Sequence, residues 1–280
     1  MESDILNLDS ALSLTEEEAT SVVIPQSDWD KGVDGYRFTL VGHLLSHRLI
    51  HFEALKVRLI QLIQAARGVT VRKLLETRFC WVFNHEEDLR QALDMRPWII
   101  DRNLVVLQPL SQPEDPLSIS LDWCPFFVHI HDLRLGQRSV DVLRYIGNYV
   151  GVWLDAANIE RDISWFENVR NRLNINVSIP LKRALRIQLD TGASCIVRFS
   201  YERLPNFCYL CGKLGHISRF CDLRFQDGYV DLGANCPFGA WLRAPGRMQR
   251  VGGTTDSILP TYVWSSHQTT TSSSDQRRGA

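Results

Sequence analysis

Three cysteines and a histidine fall within fourteen residues, as Cys208-x2-Cys211-x4-His216-x4-Cys221, and this spacing constrains the chain more than any other feature. Three thiolates and one imidazole are the ligand set of a four-coordinate structural Zn²⁺ site. Four protein ligands leave no position for water, so such a site organises a fold and hydrolyses nothing. Gly212 follows the second cysteine and Gly215 precedes the histidine. A loop wrapped tightly around a metal needs φ > 0 at such points. Tyr209 and Ile217 sit directly after the first cysteine and after the histidine, and Lys213 and Arg219 place cations beside them. An aromatic and apolar platform ringed by cations can stack an unpaired base and hold its phosphate.

At these residues the chain resembles the retroviral-type CCHC zinc knuckle, with every ligand, both glycines and the aromatic position matched. Such a knuckle serves nucleic-acid binding in some settings and protein binding in others. A single-stranded RNA or DNA binder and a protein–protein adaptor therefore stand side by side.

A net charge of −1 over 280 residues argues against a nucleic-acid binder until its distribution is considered. Residues 1–35 carry nine acids against Lys31, a net of −8, whereas residues 181–250 carry eleven Lys/Arg against five Asp/Glu, a net of +6. A basic C-terminal third behind an acidic arm suits a nucleic-acid module, although two solvated surface biases would look the same. Lys182, Arg183, Arg186, Arg198 and Arg203 lead into the metal motif. They could form a phosphate-contacting apron or an ordinary basic face.

Seven cysteines is an odd count, and Cys80, Cys124, Cys195 and Cys236 lie apart from the motif in mostly apolar contexts. The acidic opening Met1-Glu-Ser-Asp does not read as a secretory signal, and no apolar run approaches the ~20 residues of a membrane span. The expectation is a reducing interior, nucleus or cytoplasm, with no membrane contact.

Residues 1–35 read as an acidic disordered arm. Strands are expected at Tyr36–Gly42, Val69–Arg72, Arg78–Phe83 and Leu104–Gln108. Helices are expected from Phe52 to Arg67-Gly68 and over His85–Leu93, the latter capped by Asn84. The order β-α-β-β-α-β over 36–110 is that of a ferredoxin- or RRM-like domain. The polar, Pro-rich stretch Ser111–Pro116 marks a boundary. A small second α+β unit follows over 117–203, with a helix capped by Ser139 and strands at Phe126–His131, Val152–Asp155, Leu173–Ile179, Leu185–Leu189 and Cys195–Phe199. The knuckle occupies 204–224, and 246–280 is a polar, disordered tail. The class is α+β.

Across roughly 36–245 the chain resembles plant proteins in which an RRM-like or Gag-like domain of unknown function precedes a plant CCHC zinc knuckle. That family descends from the first open reading frame of LINE-type retrotransposons. The resemblance rests on Leu40-Val-Gly42, Phe52-Glu-Ala-Leu-Lys56, Arg67-Gly-Val-Thr70, Phe83-x-His-Glu-Glu-Asp88, Pro97-Trp98, His129-Ile-His-Asp-Leu133, Ile146-Gly147, Tyr201–Cys208 and Pro237–Ala244. Arg96 departs from the glycine usual before Pro-Trp. The resemblance implies nucleic-acid binding in a retroelement particle or in a host protein descended from one. The N-terminal domain is expected to serve particle assembly, through self-association, or RNA contact.

Three other patterns carry less. Leu189-Asp-Thr-Gly-Ala-Ser194 reproduces an aspartic-protease signature, but only fifteen residues separate Gly192 from Cys208, too few for a protease subunit; a hairpin turn is expected, and no enzyme activity. His43, His47 and His51 recur every four residues but straddle a strand exit, which would scatter them; His129 and His131 would share one strand face as a surface pair. Phe79 and Trp81 alternate as in an RRM ribonucleoprotein strand, and could stack bases or fill a core.

Overall fold

The computed structural model describes residues 15, 21–28, 36–48, 51–110, 115–155, 168–190 and 192–244. The arm expected over 1–35 and the tail over 246–280 lie outside these residues, save for 15 and 21–28.

Two antiparallel sheets form the frame. The first lobe runs β1 (Thr39–Leu45), α1 (Phe52–Ile63), β2 (Val69–Lys73), β3 (Arg78–Phe83), α2 (Glu86–Asp94), β4 (Trp98–Ile100), β5 (Asn103–Pro109), with strand order β2-β3-β1-β5-β4. This is the expected RRM-like order with one added edge strand. β4 escapes a sequence reading because its turn carries no glycine: Ile100 pairs with Asn103 across Asp101 and Arg102, at φ 48° and 64°. Two successive positive φ values make a type I′ turn, usually announced by Asn-Gly or Asp-Gly. α1 ends at Ile63, earlier than Arg67-Gly68, because Gln64 turns left-handed at φ 47°. The following loop is tied to α2 by the Asp88 carboxylate, which accepts from the N–H groups of Ala66 and Arg67. His85, and not Asn84, caps α2, its Nδ1 accepting from Glu87 N–H, while the Asn84 amide donates to the Arg67 carbonyl.

Strand alternation sorts the first sheet into two faces. Leu40, Leu44, Phe79, Trp81, Val105 and Leu107 face the helices in one core. Phe79 and Trp81 are thus core residues at 2% and 0% exposure, and stacking bases is not their role. Gly42 makes room for the indole, since a Cβ there would lie 2.4 Å from Trp81. The opposite face, where an RRM exposes its base-stacking residues, is closed: Val41, Leu104 and Val106 are fully buried in the core of the second lobe. Arg78 donates to the carbonyls of Leu117 and Ile119, and Gln108 to that of Trp123, sealing this face. Burial, with Arg78 alongside, holds His43 below its usual pKa.

The second lobe runs β6 (Trp123–His131), α3 (Val140–Val150), β7 (Val152–Asp155), β8 (Asn168–Asn176), β9 (Ala184–Gln188), β10 (Ser194–Tyr201), with order β7-β8-β6-β10-β9. Position for position this repeats the first sheet. The difference is that no helix lies between β8 and β9. The β9–β10 connection is the expected hairpin, with Leu189 N–H donating to Ala193 O across Gly192 at φ 84°.

The face of this sheet away from α3 is polar. His129 is not a surface residue: at 8% exposure its Nε2 lies 2.6 Å from Glu202 Oε1, which also receives Arg170 Nε at 2.7 Å. The Arg170 guanidinium lies 3.3 Å from the Phe127 ring centroid. Burial opposes ionisation of Glu202, but hydrogen bonds from His129 and Arg170 outweigh it and hold its pKa at about 2. A carboxylate depressed on folding stabilises the fold fully above its unfolded value of about 4.5, and this contribution fades as pH falls toward 2. Glu202→Gln should therefore cost about 3 kcal/mol at neutral pH, because it strips a buried pair of its anion, and should flatten the stability loss between pH 4.5 and 2. Urea melts across pH read both. Gly42→Ala should cost about 1–3 kcal/mol by overpacking Trp81.

Candidate metal centre and nucleic-acid interface

The metal ligands are brought together by a short hairpin-like loop. Phe207 and Leu214 bridge across it, and Cys208 N–H donates to Lys213 O while Gly212 N–H donates to Cys208 O. Gly212 and Gly215 take φ 75° and 89°, the left-handed conformations their positions require. Ligand atoms of Cys208, Cys211, His216 and Cys221 all lie within 4.8 Å of one another, the one such group among the described residues. Zinc bonds of about 2.3 Å to sulfur and about 2.0 Å to nitrogen set a tetrahedral S···N pair about 3.5 Å apart. Cys211 Sγ and His216 Nε2 stand at 3.4 Å. That pair has the spacing zinc sets, with Nε2 as the histidine ligand, and the four donors are of the types that fit zinc.

Surrounding groups act unequally on the three thiols. Burial raises the Cys208 thiol, but N–H donors from Cys211 and Leu210, at 3.4 and 3.3 Å from its sulfur, outweigh that and hold its pKa below the ordinary value. Ser218 Oγ accepts from Tyr209 N–H at 3.0 Å and lies 3.9 Å from Cys208 Sγ. Burial pushes the Cys211 thiol up, and a coordinating metal deprotonates a bound thiol. His216 is held below its usual pKa by burial, which favours the neutral imidazole a metal needs.

The metal loop is docked, not tethered. Phe207, Leu214 and the later Leu242 are buried in the second lobe's core, where Leu181 joins them. Leu181 N–H donates to Gly212 O, and Phe238 N–H to Tyr209 O. The Phe238 ring covers Gly212 so closely that a Cβ would fall 2.3 Å from it. The first lobe touches the same loop: His47 stacks on Phe220 at 4.2 Å, and Asn206 N–H donates to Arg102 O at 2.6 Å. His43, His47 and His51 are scattered, in β1, in the loop after it and at the start of α1.

Tyr209, Ile217 and Arg219 line one open cavity of about 590 Å³ beside the metal loop. Lys213 is exposed and does not line it. Arg203 donates to Met95 O at 3.0 Å, linking the lobes, and Arg198 pairs with both carboxylate oxygens of Asp132. Arg102 and Arg243, which the sequence reading did not single out, also line the cavity. Arg102 belongs to the hairpin that lacks a glycine turn, and Arg243 sits in the strand-like segment bridging Tyr201. Arg102 carries no local pattern that would mark it, whereas Arg243 lies within the Pro237–Ala244 motif.

Comparisons with known proteins agree with the metal site. A zinc knuckle family model matches residues 175–223, and a model described as Domain of unknown function (DUF4283) matches residues 34–118. No curated protein matches the chain. Among solved structures, the first two RRM domains of yeast poly(U) binding protein are similar at 14% identity and a TM-score of 0.20, covering 58% of this chain and 98% of that one. The chain binds zinc, and Cys208, Cys211, His216 and Cys221 form the cluster that could hold it.

Purified protein should contain one zinc per chain by elemental analysis, and Cys221→Ser should lose it. Ser218→Ala, which removes an outer partner of Cys208, should weaken zinc about tenfold to a hundredfold in a chelator competition. Unchanged affinity would show that Ser218 does not tune the site.

Proposed function

We propose that this chain is a non-enzymatic, zinc-dependent binder of single-stranded nucleic acid, acting through the surface beside its metal loop. One observation carries the reading: Tyr209, Ile217 and Arg219 line a single cavity next to the four zinc ligands. Tyr209 and Ile217 supply the base-stacking wall, and Arg219 and Lys213 neutralise phosphates. Zinc contributes rigidity, holding Tyr209 and Ile217 at fixed positions from which stacking costs little entropy. The knuckle match and the match to the domain of unknown function support a retrotransposon-derived, plant LINE-type origin, and a nuclear or cytoplasmic setting belongs to the same reading. Exposed Val57, Ile60 and Leu62 on α1 support self-association through the first lobe. Arg198 and Arg203 enter as part of the surrounding positive field. The adaptor reading keeps one observation in its favour, the exposed Phe225 and Val230 just beyond the metal loop, at 79% and 72%.

Fluorescent single-stranded RNA titrated with the full chain across a salt series separates the two. The full chain is required because Phe207, Leu214 and Leu242 are seated in the second lobe's core. Zinc-loaded protein should bind with an affinity that falls linearly in log–log against salt, and chelation should abolish binding. Tyr209→Ala should weaken it by about 1–3 kcal/mol, the usual worth of one stacked base. Asp190→Asn should change nothing. Binding indifferent to zinc and to Tyr209 would move the function elsewhere.

A further inference from the structure

The cavity beside the metal loop is built from three separate parts of the chain. The loop itself contributes Tyr209, Ile217 and Arg219; the β4–β5 hairpin of the first lobe contributes Ile99 and Arg102; Arg243 comes from the segment after the loop. No carboxylate lines it. Some arginines of the chain are neutralised by an acid. Arg58 pairs with Asp101, Arg170 with Glu202 and Arg198 with Asp132. Among the described residues no acid pairs with Arg102, Arg219 or Arg243. Arg243 is instead held in place by neutral partners, donating to Tyr209 Oη at 3.2 Å and Pro205 O at 3.0 Å with its guanidinium 4.9 Å from the Phe207 ring.

Resting on the single-stranded nucleic-acid reading, we propose that this cleft is a composite site for one unpaired nucleotide, and that the hairpin of the first lobe forms half of it. The base lies between Ile99 on one side and Tyr209 and Ile217 on the other, and the flanking phosphates meet Arg102, Arg219 and Arg243. The volume of about 590 Å³ falls within the ~300–1,000 Å³ of sites that enclose small ligands. Three cations with no anion of their own form a standing positive potential, and phosphates are the counter-charge that guanidinium forks fit. The hairpin is fixed against the loop by the bond from Asn206 N–H to Arg102 O, so both walls are preformed. Specificity for the unpaired base therefore depends on the first lobe, although that lobe's own sheet face is closed.

The test uses the zinc-loaded full chain and a short fluorescent oligouridylate. Arg102→Gln should weaken binding about fivefold to tenfold at low salt and reduce the log–log salt slope by about 0.7, the share of one phosphate contact to a single strand. Arg72→Gln, an equally exposed cation on β2 remote from the cleft, should leave both unchanged. Zinc content of each variant reports whether the loop is intact. Independently of any variant, a 4-thiouridine oligonucleotide should photocrosslink to the peptide containing Ile99 and Arg102 as well as to that containing Tyr209 and Ile217. Wild-type binding with an unaltered slope in Arg102→Gln, or crosslinks confined to the metal loop, would overturn the composite cleft alone. No binding by wild type would overturn the parent reading together with it.

Discussion

Four bonds to zinc hold the C-terminal end of this fold in place. The metal loop has almost no core of its own: Cys208, Leu210 and Cys221 are its buried cluster, and two of these are ligands. So small a segment cannot offset its ordering entropy by burial, and the metal must supply the difference. Once the loop is closed, Phe207 and Leu214 are presented together on one side of it, where they enter the core of the second lobe. Tyr209, between them in sequence and partly exposed, is left facing the cleft. Chelation and hydrophobic docking are therefore one cooperative event.

The second lobe explains why the docking place exists. Its strand order repeats that of the first lobe, but only seven residues separate β8 from β9, too few for the second helix. A sheet with one helix would leave apolar surface uncovered. Leu181, Phe207, Leu214 and Leu242 fill that core. The first sheet contributes Val41, Leu104 and Val106 to the same cluster, so its free face is used for assembly within the chain. An RRM-like order here serves packing.

Much of this was legible in the sequence because local patterns decided it. Cysteine and histidine spacing, with glycines at Gly212 and Gly215, named the metal and its ligands. Ser139 before a periodic run named α3, and its side chain accepts from Val142 N–H. Trp81 was harder, since an alternating aromatic strand reads equally as a stacking face or a core until the neighbouring glycine, Gly42, is seen to vacate space for it. His129 looked like a surface residue because its partner, Glu202, is 73 residues away in sequence. β4 was lost because Asp101 and Arg102 adopt left-handed conformations without a glycine to announce them. Arg102 carries no local mark, because what brings it beside the metal loop is a contact with Asn206, 104 residues away in sequence.

The central claim is that zinc orders more than its own loop. Hydrogen exchange of the full chain with zinc and after chelation tests it most directly. Loss of protection on chelation should extend beyond 204–224 to Leu181, whose N–H donates to Gly212, and to Phe238, whose N–H donates to Tyr209. Loss confined to the loop, with Leu181 and Phe238 still protected, would contradict it and make the metal site an independent appendage.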